Sequence, residues 1–108
     1  MIPLYANWKN DVTLKKFKVI LSPSVEKEIE NLETVDAIQL AKDIKLYLEI
    51  SPLPFGKTRI KKLTGLEPTL YRMRSGDFRI YYRIVSNEVI ILAITNKKDS
   101  EKILKKFQ

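Results

Sequence analysis

The 108-residue sequence contains no cysteine and no histidine. The first absence excludes disulfide staples, thiolate nucleophiles and cysteine-ligated zinc. The second removes the commonest general base and the commonest metal ligand together. A Ser-His or Cys-His nucleophile pair therefore cannot exist. Glycine is scarce as well: the three present form no GxGxxG or P-loop cradle for a phosphate. The carboxylates are scattered, with no Asp-x-Asp-x-Asp-Gly loop for calcium and no close pair of the kind a glycosidase uses. No metal and no cofactor are expected. The longest wholly apolar run, Val89–Ile94, is far too short to span a bilayer. The N-terminus shows no charged stretch followed by an apolar one, so no secretory signal is expected. The expected compartment is the cytoplasm, with no membrane partner.

What is present describes a folded chain. The apolar fraction is 44% and the charged fraction 31%, values of a globular protein rather than a disordered one. The length suits one domain over residues 1–108, because a split would leave pieces too small to bury a core. The net charge is +7, and it is unevenly placed. Residues 57–83 carry eight Lys or Arg against two acidic residues, whereas residues 22–50 carry seven Asp or Glu against three Lys. A surface built only for solubility mixes its signs. A separated basic half points to a polyanionic partner.

Residues 1–15 read as an irregular N-terminal extension, with Tyr5 and Trp8 expected to pack on the domain. Phe17–Leu21 predicts a first strand. Ser22-Pro23 supplies an N-cap followed by proline at the first helical position. Val25, Ile29 and Leu32 then recur on one face and predict a helix over 23–33. Thr34 is expected to cap a second helix, with Asp36 favoured in its first turn by the helix dipole. Its expected buried stripe is Val35, Ile38, Ala41, Ile44 and Leu48, and Ser51-Pro52 stops it. Residues 52–69 read as a loop. Leu70–Arg74 and Phe78–Val85 alternate as half-buried strands around a Ser75-Gly76-Asp77 turn. Glu88–Thr95 is apolar enough for a strand covered on both faces. Ser100–Phe107 closes the chain as a short helix. The order is β-α-α-β-β-β-α, an α+β fold with a twisted, mainly antiparallel four-stranded sheet and an αα-hairpin on one face.

Strand alternation places Arg72 and Arg74 on one face, and Arg79, Tyr81 and Arg83 on the same face of the next strand. Tyr71, Met73, Phe78, Ile80, Tyr82 and Ile84 face the helices. A row of like charges on a sheet is destabilising, and a bound anion relieves it. The planar guanidinium fork matches phosphate oxygens, and such groups stabilise charge in a phosphoryl transition state. RNA brings its own nucleophile, the 2′-OH, so a metal-free site of this kind can cut RNA and leave a cyclic phosphate. Lys57, Arg59, Lys61 and Lys62, with Tyr81 and Arg83, are the expected RNA-binding contacts around the arginine cluster.

Residues 16–104 resemble the RelE/ParE superfamily of type II toxins. The resemblance is carried by Leu21-Ser22-Pro23-Ser24, by Lys61-Lys62-Leu63-Thr64-Gly65, and above all by the run from Leu70 to Tyr82, LYRMRSGDFRIYY. It implies the small α/β fold just described. It also implies a toxin that cuts messenger RNA at the ribosome, with a cognate acidic antitoxin as partner and a toxin–antitoxin heterotetramer among the assemblies open to it. The alternative within the superfamily is a ParE-like inhibitor of DNA gyrase without nuclease activity, or a catalytically weakened toxin. On the RelE pattern the catalytic residues are Arg72, Arg74, Arg79 and a basic residue near the C-terminus, Lys97 or Lys98. The Tyr or His that the family places near its C-terminus has no counterpart here, where Lys102, Ile103 and Leu104 stand. Tyr81 is the candidate to compensate.

Overall fold

The computed structural model describes residues 16–55 and 59–107. Tyr5, Trp8 and Lys57 lie outside them. Five strands form one sheet in the order β1-β5-β4-β3-β2. They are β1 (Lys18–Leu21), β2 (Ile60–Leu63), β3 (Leu70–Ser75), β4 (Phe78–Val85) and β5 (Glu88–Asn96). Neighbours pair antiparallel except β1 with β5, which run parallel. The expected sheet had four strands. The fifth, β2, falls inside the expected loop, because a four-residue strand with two central lysines carries no readable alternation. Pairing with β3 defines it: Ile60 lies opposite Met73 and Leu63 opposite Leu70.

Helix α1 (Pro23–Glu30) starts as its sequence dictates. Ser22 Oγ accepts from the Val25 amide at 3.3 Å, and Pro23 fills the first turn, where an N–H has no helical partner. Val25 is fully buried, with Ile29 and Leu32 packed beside it. Helix α2 (Thr34–Asp43) continues as a π-helical turn over Ile44–Leu48. Thr34 is its first residue rather than its cap; Glu33 is the N-cap and makes no side-chain bond.

The buried face of α2 differs from the expected stripe. Leu40, Ile44 and Leu48 enter the core, whereas Val35 is 71% exposed and Ile38 53%, and Ala41 is exposed. The i, i+4 series from Leu40 wins over the i, i+3 series from Val35 because it meets Met73, Ile80, Tyr82 and Ile91 across the sheet. Burying each such side chain contributes about 1.5–3 kcal/mol. The same face carries Asp43, only 6% exposed.

A second, smaller core lies on the opposite side of the sheet. There α3 (Ser100–Lys105), entered through a 3₁₀ turn at Lys97–Asp99, lays Ile103 and Leu104, followed by Phe107, over Leu66, Leu70, Tyr81 and Ala93. β5 is thus covered on both faces, as its composition predicts.

Candidate nucleic-acid interface

The register of β3 and β4 sets the arrangement of the basic residues. Arg74 lies directly opposite Arg79, and Arg72 opposite Tyr81. On the other side of β3, Lys61 lies opposite Arg72. Residues opposite each other point to the same face, so Lys61, Arg72, Arg74 and Arg79 share the face away from the helical hairpin. The turn between β3 and β4 is short because Gly76, at φ +58°, takes the left-handed conformation that its first position needs. The Lys97 amide donates to the Asp77 carbonyl at 2.9 Å. That bond brings the exposed Lys97 and Lys98 to the same end of the sheet as Arg74 and Arg79.

Among the described residues no carboxylate pairs with Arg72, Arg74 or Arg79. Arg79 instead turns one Nη1 onto the carbonyls of Gly76 (3.3 Å) and Phe78 (3.0 Å). Among the described residues Arg72 Nε is buried with no acceptor, and so is Arg83 Nε. A buried charged donor without an acceptor is costly. Among the described residues no ion pair compensates the positive charge at this end of the sheet.

Three expected contacts lie elsewhere than on an open basic face. Tyr81 is fully buried, not presented on an open face. Its ring packs with Phe107 at 6.4 Å between centroids, and its hydroxyl hydrogen-bonds with Ser100 Oγ. Arg59 faces the hairpin, where Nη1 lies 3.5 Å from Asp43 Oδ2 and its guanidinium stacks 4.5 Å from the Tyr47 ring. Lys62 is exposed but lies opposite Tyr71, on the helix side of the sheet. Arg83 shares the basic face, yet it sits near Phe107, 5.9 Å from the ring, at the far end from Arg74 and Arg79. The terminal helix thus divides the basic face into a cluster of Lys61, Arg72, Arg74, Arg79, Lys97 and Lys98 and a separate Arg83. The signal for that cover was present in Leu63, Leu70, Ile103, Leu104 and Phe107, apolar residues that need burial on this side.

Asp43 and Ser75 were not singled out by the sequence. Ser75 Oγ, 1% exposed, donates to Asp43 Oδ2 at 2.6 Å, and Gln39 Nε2 donates to Oδ1 at 3.2 Å. Among the described residues no three acidic, His or Cys side chains gather to hold a metal ion.

No family model matches the sequence, and no curated protein matches it. Solved structures do. The RelE–RelB complex from Pyrococcus horikoshii aligns with a TM-score of 0.64 at 26% identity, covering 76% of this chain and 96% of that one. A mutant of the Escherichia coli RelE toxin in its free state aligns at 0.62 and 22% identity, covering 86% and 99%. The fold is that of the RelE toxins. The toxin–antitoxin complex RelBE2 of Mycobacterium tuberculosis gives 0.60 at 20% identity, covering 75% and 98%. In the RelE-like fold seen here, Ile103 and Leu104 are turned into the small core, so neither they nor the buried Tyr81 offers a proton-accepting group beside Arg74 and Arg79. No helix among the described residues is long and apolar enough to cross a membrane.

Proposed function

We propose that the chain is the toxin of a type II toxin–antitoxin system and that it cuts messenger RNA on the ribosome without a metal. The observation that carries this reading is the directly opposed pair Arg74 and Arg79, flanked by Arg72 and Lys61, with no carboxylate among the described residues pairing with any of the three arginines. Such a cluster binds a phosphate better as the phosphate gains charge. In the reaction the 2′-oxygen forms a bond to the adjacent phosphorus and the bond to the 5′-oxygen breaks. A 2′,3′-cyclic phosphate and a 5′-hydroxyl result. Arg72, Arg74 and Arg79 hold the phosphate oxygens and stabilise the charge that grows on them. Lys97 or Lys98 adds positive charge from the same end of the sheet. No histidine exists to take the 2′-hydroxyl proton, so it leaves to water or to a substrate phosphate oxygen, and the departing 5′-oxygen takes a proton back from the same source.

The partner is a largely disordered, net-acidic antitoxin that folds over the cationic cluster and the exposed apolar side chains of the hairpin, Val35, Ile38 and Leu46 among them. Expressed together, the two are expected to co-purify and growth to be restored.

The test is cleavage of a defined message by purified chain with translating ribosomes. Cuts within codons, ending in cyclic phosphate, are expected for the wild type, and they persist when a chelator removes transition metals. Arg79→Ala is expected to slow cleavage by about 10²–10³-fold while stability changes by no more than about 1 kcal/mol, since lost bonds to the turn offset relief of the like-charge pair. An active Arg79→Ala variant would remove the assignment. Intact messages accompanied by gyrase-dependent DNA breakage would replace it with the ParE-like reading.

A further inference from the structure

We infer that Asp43 is a positioning residue for Arg74 and Arg79, acting through Ser75 from the opposite side of the sheet. The inference rests on the ribonuclease reading for its consequence, though not for its geometry. Asp43 ends α2 where the helix widens into its π-turn, a distortion that often accompanies functional positions. Its carboxylate is buried and gathers three elements. Gln39 binds it from its own helix at 3.2 Å, Ser75 from the end of β3 at 2.6 Å, and Arg59 from the start of β2 at 3.5 Å. Each of the latter two is tied in turn to the basic cluster. The Arg59 carbonyl accepts from the Arg74 amide at 3.0 Å. Ser75 follows Arg74 and lies opposite Phe78, so it fixes the first leg of the turn whose Gly76 and Phe78 carbonyls hold the Arg79 guanidinium.

On the helix side the turn is flanked by Ser75 and by Phe78, which is partly buried against the core. A cleft of about 260 Å³ opens there between Asp36, Gln39 and Leu40 on the helix and Gly76, Asp77 and Phe78 above them. With the Ser75 hydroxyl removed, the turn has room to shift, and a shift of the order of 1 Å at a reacting group is enough to lower a rate by up to about 10²-fold. A buried carboxylate that served only stability would not need to stand behind both arginines. Apolar residues fill such a position at equal or better stability.

Ser75→Ala, Ser75→Thr and Asp43→Asn are compared with the wild type in three measurements. These are thermal midpoint, kcat and KM for ribosome-dependent cleavage, and ¹⁵N relaxation of Arg79 Nε. For folded Ser75→Ala, kcat is expected to fall about 10- to 100-fold with KM within about threefold, and the Arg79 Nε order parameter to drop. Ser75→Thr, which keeps the hydroxyl, restores both. A Ser75→Ala variant that melts earlier but keeps its kcat and an unchanged Arg79 order parameter overturns the inference. Should Ser75→Ala fail to fold, Asp43→Asn, which keeps the shape and one acceptor oxygen, is judged by the same criteria. Should the wild type cut no message, the ribonuclease reading fails separately, and the Arg79 order parameter alone decides the positioning role in either direction.

Discussion

Tyr82 shows how strongly burial acts on a single side chain of this sheet. Its phenol is fully buried, lies in a stacked pair with Tyr71 at 5.6 Å, and donates to the Pro52 carbonyl at 2.6 Å. Burial, and secondarily the neighbouring Tyr71, raise its pKa far above the ordinary phenol value. The native state therefore holds this proton more tightly than the unfolded chain does. The stability it supplies is complete below the ordinary phenol value of about 10 and is lost as pH rises beyond it. Tyr82→Phe should cost about 1–2 kcal/mol at neutral pH through the orphaned Pro52 carbonyl, and its stability should decline less steeply between about pH 10 and 11. Urea titrations of both proteins across that range check this. Arginine shows the same dependence on surroundings. Arg59 and Arg79 belong to the same basic segment, yet one is held by a buried carboxylate and the other by backbone carbonyls. Spacing distinguishes the faces of Arg74 and Arg79 well, because both lie in clear alternations. It cannot place Arg59, which precedes a strand too short to read.

At the level of elements, patterns with a strong local cause were legible and those decided by distant contacts were not. The Ser22-Pro23 start of α1, the β3–β4 hairpin with Gly76 in its turn, and the apolar β5 follow from residues next to one another. β2 depends on pairing with β3. The buried face of α2 depends on which of two apolar series meets the sheet, and Asp43 on that face is interpretable only beside Ser75, from another part of the chain. The terminal helix was expected, but its place over the basic face was not. Six residues long, it is held by its side chains rather than by its own turns. Phe107→Ala is therefore expected to cost about 1–3 kcal/mol and to raise the exposure of Tyr81. A chemical denaturation curve and quenching of tyrosine fluorescence by a small neutral quencher report the two effects. A cost near zero would mean that the helix is not held by this contact.

For the molecule as a whole, charge separates along the fold. The acidic helical hairpin lies on one side of the sheet, and the cations without an ion pair among the described residues gather at one end of the other. Binding to ribosomes or ribosomal RNA should weaken with salt in proportion to the phosphates neutralised. Lys61→Ala, on the clustered face, is expected to shallow the slope of log K against log salt by about 0.7–0.9. Arg59→Ala should leave that slope unchanged and lower stability instead, because it takes a cation from a buried carboxylate. An equal loss of slope in both variants would show that the division of the basic residues between the two sides is not what the nucleic acid senses.

β1 has β5 as its neighbour in the sheet, and Leu21 pairs with Ile91. Leu21 and Ile91 stand 70 residues apart in the sequence, whereas β2 to β5 pair with strands close by in sequence. Closing so long a loop is the slow, high-contact-order step of folding. During synthesis β1 emerges well before its mate β5 and waits for it. A nascent chain arrested before Glu88 is expected to leave Lys18–Leu21 open to protease, while a chain with β5 released from the ribosome is protected.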